Sequence, residues 1–194
     1  MLEDFQKVQA HIVEKAQDLF ARFGFRKTTM DEIAQAARKG KSSIYHYFQN
    51  KEEIFRAVVE KEANELKKAI SQAVARETDP RAQLRAYVLT RMHALKNLAN
   101  LYSAFRDDYI ESYGFIERLR VGYDEFERSV ISRILQAGVE RGEFVIEDVG
   151  LMAYVIVVAF KGLEYPWAVA QDIAKIEENI DTLLHVLFYG LLKR

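Results

Sequence analysis

The amino-acid sequence predicts an all-α fold, in which an N-terminal three-helix helix-turn-helix head is joined through a shared fourth helix to a larger helical body. Three observations carry this. Apolar residues recur with helical spacing along the chain, and no stretch shows sustained period-two alternation with hairpin turn signals. Short helical segments are confined to the first fifty residues, and long ones follow. Only two prolines occur in 194 residues, so long helices can run uninterrupted. With 49% apolar residues the chain can bury a sizeable core, and it divides into a small domain, 1–50, and a larger one, 51–194.

The elements follow in order. The first helix has Ile12, Ala16, Leu19, Phe20 and Phe23 on one buried face and stops at Gly24. Thr29 caps the second, with Glu32 reaching back in a capping box ahead of Ile33, Ala34 and Ala37. Gly40 allows a tight turn into a third helix from about Lys41 to Phe48, with Ile44 and Phe48 inward. Asn50, with Glu53 three places on, caps a fourth that continues to about Arg76. Asp79 and Pro80 start the fifth, which runs to about Leu98 or Ala99. A sixth spans Leu101 to Tyr113 and a seventh Phe115 to Gly138. The eighth begins near Glu147 and passes Glu164, where Pro166 should end or kink it, and the ninth runs from Ile176 to Leu192.

Composition excludes several kinds of chemistry. Without cysteine there is no disulfide framework, thiolate zinc site or cysteine nucleophile. His11, His46, His93 and His185 fall on different helices, in neither an HExxH nor a paired Glu-x-x-His pattern. The pairs Asp181 with His185 and Asp107 with Glu111 read as solvated or capping charges, and no phosphate-cradling glycine loop or nucleophile elbow is present. No enzyme activity, metal or cofactor is therefore expected. Met1 to Ala10 does not read as a leader, and the most apolar run, Val149 to Phe160, is short of the roughly 20 residues a membrane span needs, so the chain reads as cytoplasmic with no membrane partner.

A net charge of -1 hides an uneven distribution. Residues 22 to 51 carry a net +5, from Arg22, Arg26, Lys27, Arg38, Lys39, Lys41 and Lys51 against Asp31 and Glu32. Two short helices joined by a Gly-containing turn and surrounded by positive charge read as a DNA-reading head; a ligand-free packing unit is the alternative. The DNA major groove admits one helix, whose first residues must be small enough for close approach while lysines and backbone amides meet phosphates. Lys41, Ser42, Ser43 and Tyr45 supply that combination.

The run from Ile12 to Lys51, above all Lys41, Ser42, Ser43, Ile44, Tyr45, His46, Tyr47 and Phe48 followed by Asn50, Lys51 and Glu52, resembles the DNA-binding head of TetR-type (TetR/AcrR) transcriptional regulators. The resemblance covers about a quarter of the chain. It departs from the family pattern at Arg38, Lys39 and Gly40, where the family often places Gly, Val and Ser. The resemblance implies that Thr28, Thr29, Tyr45 and Lys51 bind phosphate, and that Lys41, Ser42, Ser43 and also His46 approach base edges. It implies as well that the body is a ligand-sensing and dimerisation domain. For Thr29 the bland reading is a helix cap, for Tyr45 half-buried packing, and for His46 a solvated surface.

The body adds its own signals. The eighth helix is apolar nearly all round from Leu151 to Phe160, and the ninth has a broad stripe from Ile176 through Leu184 to Leu191. One face of each can meet the chain's own core and the other a second subunit, with Val157 and Leu184 marking that surface; a central helix of a monomer is the alternative. Between Tyr102 and Phe126 seven of 25 residues are aromatic, and Tyr102, Phe105, Tyr109 and Tyr113 share one helix face. Rings with hydroxyls suit a cavity, with Tyr123 and Phe126 nearby and Met92, Tyr154 and Trp167 closing the space, although ordinary core packing uses such stripes too. The sequence thus points to a homodimeric repressor that binds a palindromic double-stranded operator and releases it when a small apolar or aromatic effector enters the body. A helical small-molecule carrier whose head makes protein contacts is the alternative, and a helical enzyme the third.

Overall fold

The computed structural model describes the backbone of residues 2–94, 98, 100, 114–169 and 173–190, and within these the side chains of all but residues 2, 3, 163–169, 173 and 174. Every regular element among them is an α-helix: α1 (Leu2–Lys27), α2 (Met30–Ala36), α3 (Lys41–Ile44), α4 (Lys51–Ala75), α5 (Pro80–Ala94), α6 (Gly114–Glu140), α7 (Val149–Val169) and α8 (Ile173–Tyr189). The expected seventh, eighth and ninth helices are α6, α7 and α8. The expected sixth, 101–113, lies outside the described residues, and with it Tyr102, Phe105, Tyr109 and Tyr113.

Two compact units divide the chain. One comprises Met1–Asn64 with Leu98–Arg120, the other Glu65–Asn97 with Val121–Arg194, so α4 contributes to both. In the first, Gly24 (φ 78°, ψ 161°) breaks α1 and sends Phe25 inward. Phe25, Phe20 and Phe55 form a ring cluster with centroids 4.8 to 5.9 Å apart. Phe23, expected in the core, is displaced by that break: it is 48% exposed, with the Arg22 guanidinium over its ring. Ile12, Ala16, Ile33, Ile44, Ile54 and Val58 complete the core. Deep within it Glu62 of α4 accepts from the Gln17 and Asn100 side-chain amides at 3.0 and 2.7 Å, and Asn100 also donates to the Gln17 carbonyl. Buried polar groups of this kind are tolerated because they are hydrogen-bonded.

The second unit buries Leu84, Tyr87 and Val88 of α5, Ile131 and Leu135 of α6, Ala153, Ile156 and Val157 of α7, and Ile180 and Leu184 of α8. Val157 and Leu184, expected on a surface free to meet a second subunit, are each only 3% exposed within the single chain. Among the described side chains of α7, the large apolar ones that remain open are Leu151, Tyr154, Val155 and Val158, a stripe at helical offsets 0, 3, 4 and 7. Asp148 begins this helix by accepting from the Leu151 amide at 2.9 Å. The helix continues beyond Pro166 to Val169, so the proline does not end it, although with no N–H it cannot donate to the Gly162 carbonyl. Across α5 and α8, Arg85 donates twice to Asp181, at 2.6 and 2.9 Å, which engages one member of the pair singled out in the sequence. His185 instead packs its ring against Tyr189, 4.8 Å away.

No local sequence pattern marks the buried ion pair between α5 and α6. Arg91 and Glu127 are 2% and 0% exposed, the guanidinium grips the carboxylate through Nε and Nη2, and the Tyr87 hydroxyl donates to the same carboxylate at 2.7 Å. Removing one partner of such a pair leaves a buried charge uncompensated. Glu127→Ala should therefore lower unfolding free energy by about 3–5 kcal/mol in chemical denaturation, whereas Tyr87→Phe, which removes one hydroxyl donor, should cost about 1–3 kcal/mol.

Candidate nucleic-acid interface

The reading head is shaped by the way α2 ends. Ala37 closes the helix, the Lys39 amide donates back to the Ala34 carbonyl at 2.9 Å, and the Arg38 amide donates to Gln35 at 3.0 Å. This pair of bonds is a Schellman closure, which requires its C′ residue in the left-handed region and normally takes glycine there. Here that residue is Arg38, at φ 53°. Gly40, to which the tight turn was assigned from sequence, is in fact extended (φ -66°, ψ 150°) and serves as the N-cap of α3, accepting from the Ser43 and Ile44 amides. The departure at Arg38 thus preserves the turn and places a cation at its bend.

At the start of α2, Thr29 and Glu32 form the capping box read from the sequence: the Glu32 amide donates to the Thr29 hydroxyl at 3.3 Å, and the Thr29 amide donates to the Glu32 carboxylate at 2.8 Å. The Thr29 hydroxyl, then the Thr29 amide, holds the Glu32 carboxyl below its usual range. This stabilisation is present above ordinary carboxylate pKa values and is lost as pH falls through the lowered one. Thr28 is turned inward, 1% exposed, with its hydroxyl donating to the Gly24 carbonyl at 2.9 Å. The expected phosphate contact through the Thr28 side chain is therefore replaced by a bond that closes the end of α1.

α3 is shorter than expected. Regular helix covers Lys41–Ile44, after which His46 donates to Ser43 and Tyr47 to Ile44 in tighter three-residue turns. Ile44 and Phe48 are buried as expected, which leaves Lys41, Ser42, Tyr45 and His46 exposed and Ser43 half-buried. Tyr45 is 46% exposed. Lys41 meets Asp31 of α2 at 2.9 Å, and this carboxylate raises its pKa. Lys51 is half-buried: its ammonium donates to the Phe25 carbonyl at 2.8 Å and lies 4.4 Å from the centre of the Phe25 ring, pinning the start of α4 to the end of α1.

Two residues of this surface were missed in the sequence. Phe5 packs against Tyr47 at 4.8 Å and edge-on to His46 at 5.8 Å, bracing the end of the recognition segment. The signal was present, because Phe5 and Val8 precede Ile12 by seven and four residues and extend its helical face. Asp31, counted only as negative charge, is the partner of Lys41; no local pattern marks a contact across ten residues.

A family model described as bacterial regulatory proteins of the tetR family matches residues 12–58, from α1 into α4. The HTH-type transcriptional regulator YfiR of Bacillus subtilis is 30% identical over 146 residues, spanning 73% of this chain and 70% of YfiR. The chain belongs to the TetR family. The HTH-type transcriptional repressor KstR2 of Rhodococcus jostii is 28% identical over 141 residues, covering 70% of this chain and 67% of that one. A transcriptional regulator from Cytophaga hutchinsonii has the same fold, with a TM-score of 0.75 at 27% identity over 91% of this chain and 94% of its own. These relatives of the TetR chain are transcriptional regulators, not enzymes. TetR-family proteins are in general DNA-binding regulators that respond to ligands, and many are repressors.

Of the residues assigned to the effector, the structure brings Met92 of α5 and Tyr123 of α6 into the buried core of the second unit, with Phe126 half-buried beside Tyr123 at 6.4 Å. Tyr154 does not close that space: it lies on the open stripe of α7, 51% exposed, with the Arg128 guanidinium 5.7 Å from its ring. The Trp167 side chain is outside the described residues. Among the described residues, no helix is long and apolar enough to cross a membrane.

A non-glycine residue in the left-handed region costs about 1–2 kcal/mol, partly offset in glycine by its greater freedom when unfolded. Arg38→Gly should consequently raise unfolding free energy by up to about 1 kcal/mol while weakening association with random duplex DNA at low salt. Unchanged or lower stability would show that the Arg38 side chain more than compensates for its backbone.

Proposed function

We propose that this chain is a one-component repressor that binds a palindromic operator as a homodimer and releases it when a small apolar or aromatic effector enters the second unit. The observation that carries the DNA reading is the exposed row of Lys41, Ser42, Tyr45 and His46 on a segment whose inner side is fixed by Ile44 and Phe48. Small side chains at its start permit approach to base edges, and the cations around it supply attraction to phosphate. Thr29, Tyr45 and Lys51 take the phosphate roles, Lys51 by leaving the Phe25 carbonyl or through its neighbours. Lys41, Ser42, Ser43 and His46 face the bases. The repressor sense is supported by the likeness to KstR2, and acting on DNA places the protein in the cytoplasm.

Dimerisation through α7 and α8 is supported by the stripe of Leu151, Tyr154, Val155 and Val158, four apolar side chains left open on one helix. A second copy related by a two-fold axis would cover them and set two heads at half-sites about 34–36 Å apart. For the effector, Met92, Tyr123 and Phe126, together with Tyr102, Phe105, Tyr109 and Tyr113 from the sequence, offer rings, a thioether and hydroxyls without concentrated charge.

An operator selected from a random duplex pool tests the DNA reading. Tyr45→Ala should weaken binding to operator and unrelated duplex alike, whereas Lys41→Ala should cut the ratio of the two affinities by at least tenfold. Equal affinity for all sequences in the wild type, or no effect of either substitution, would remove the reading head. For the dimer, Tyr154→Glu with Val158→Glu should yield folded monomers by sedimentation and lose operator binding. A folded variant that remains dimeric would place the interface elsewhere.

A further inference from the structure

The end of α6 builds a cavity within the second unit, and none of the residues assigned to the effector is among those lining it. It holds about 350 Å³ and lies among Arg81 and Leu84 of α5, Phe144 of the loop after α6, Ile156 of α7, and Phe188 and Tyr189 of α8. This is near the lower limit of ligand pockets, about 300–1,000 Å³. A ring system of modest size fits it.

Its wall is a constructed one. Gly142 (φ 71°) closes α6 in a Schellman turn, with the Glu143 and Phe144 amides both donating to the Gly138 carbonyl at 2.9 and 3.1 Å. Phe144 then lies directly on Gly138, where a Cβ would come within 2.1 Å of its ring. The Phe144 and Phe188 rings stack at 5.9 Å, inclined by 13°. Arg141 ties the same loop to the Thr78 carbonyl at 2.7 Å. The aromatic wall is thus preorganised, which reduces the cost of ordering it around a ligand.

The charged residues lining the cavity are Arg81 and Glu143. Outside it, Arg85 holds Asp181 and Arg91 holds Glu127. Among the described residues the Arg81 guanidinium hydrogen-bonds only the Tyr189 hydroxyl, at 3.4 Å, and stands 6.0 Å from the centre of that ring. Glu143 is exposed at the rim, where water screens its charge. A guanidinium fork with no carboxylate partner among the described residues, set beside an apolar slot with aromatic walls, matches an aromatic ring carrying one carboxylate.

We propose that this cavity binds a small aromatic carboxylic acid, its ring against Phe144 and Phe188 and its carboxylate on Arg81. The lining includes none of Met92, Tyr123, Phe126 and Tyr154, and the proposal does not depend on how the head reads DNA. Naphthalene-2-carboxylate is a suitable probe for the full chain, with 2-naphthol as its neutral counterpart. Calorimetry should give one carboxylate per chain, bound at least tenfold more tightly than 2-naphthol. Arg81→Gln should remove that preference while leaving 2-naphthol within about twofold. In protein carrying 13C-labelled methionine methyl groups, the Met152 signal, from the cavity lining, should shift with the probe and the Met92 signal should not. Absence of millimolar binding would overturn the proposal, as would equal binding after Arg81→Gln or movement of Met92 instead of Met152. Binding that vanishes as rising protein concentration drives dimerisation would assign the cavity to a second copy and overturn it equally.

Discussion

A helix that ends leaves carbonyl groups that need donors, and the geometry of that closure decides where the chain goes next. In this protein the closure of α2 sets the direction in which α3 leaves it, and so which side chains of residues 41–48 face outward. The left-handed residue at Arg38 turns the chain, Gly40 starts the next helix, and Ile44 and Phe48 then drop into the core shared with α1 and α4. Had the turn opened differently, Tyr45 and His46 would exchange places with those two. The closure of α6 solves the same problem with Gly142, in the residue type the conformation prefers. The comparison isolates what is particular to the head: it accepts a strained backbone at one position and carries a cation there.

Much of this was legible in the sequence because it depends on local rules. The Thr29 box, the Asn50 cap, the Asp79–Pro80 start and the inward Ile44 and Phe48 all follow from side-chain chemistry within four residues. Phe23 and Phe25 show where such reading fails. Helical periodicity puts Phe23 inside, but Gly24 breaks the helix and reverses the two. Thr28 turns inward for a related reason, since its hydroxyl closes the end of α1, which the sequence placed three residues earlier, at Gly24.

Other features rest on contacts between distant segments, for which one sequence carries no signal. The Arg91–Glu127 pair spans 36 residues and looks in sequence like two ordinary surface charges. α7 shows a subtler limit. Its all-round apolar character was plain, but which side faced the chain's own core was not, because a helix without a polar face has no internal marker of orientation. The body therefore yielded its helix types from sequence and its facing surfaces only from structure.

The contact between Gly138 and Phe144 bears on how this protein can change over generations. A side chain at 138 and the ring at 144 as placed exclude each other, so residue 138 cannot enlarge alone without disturbing the end of α6. A lineage can enlarge residue 138 only after 144 has shrunk, and the intermediate loses the stacking on Phe188. Substitutions at the two sites should accordingly arrive together, with 144 leading, and the pair would register as covariation between a helix and the loop that follows it.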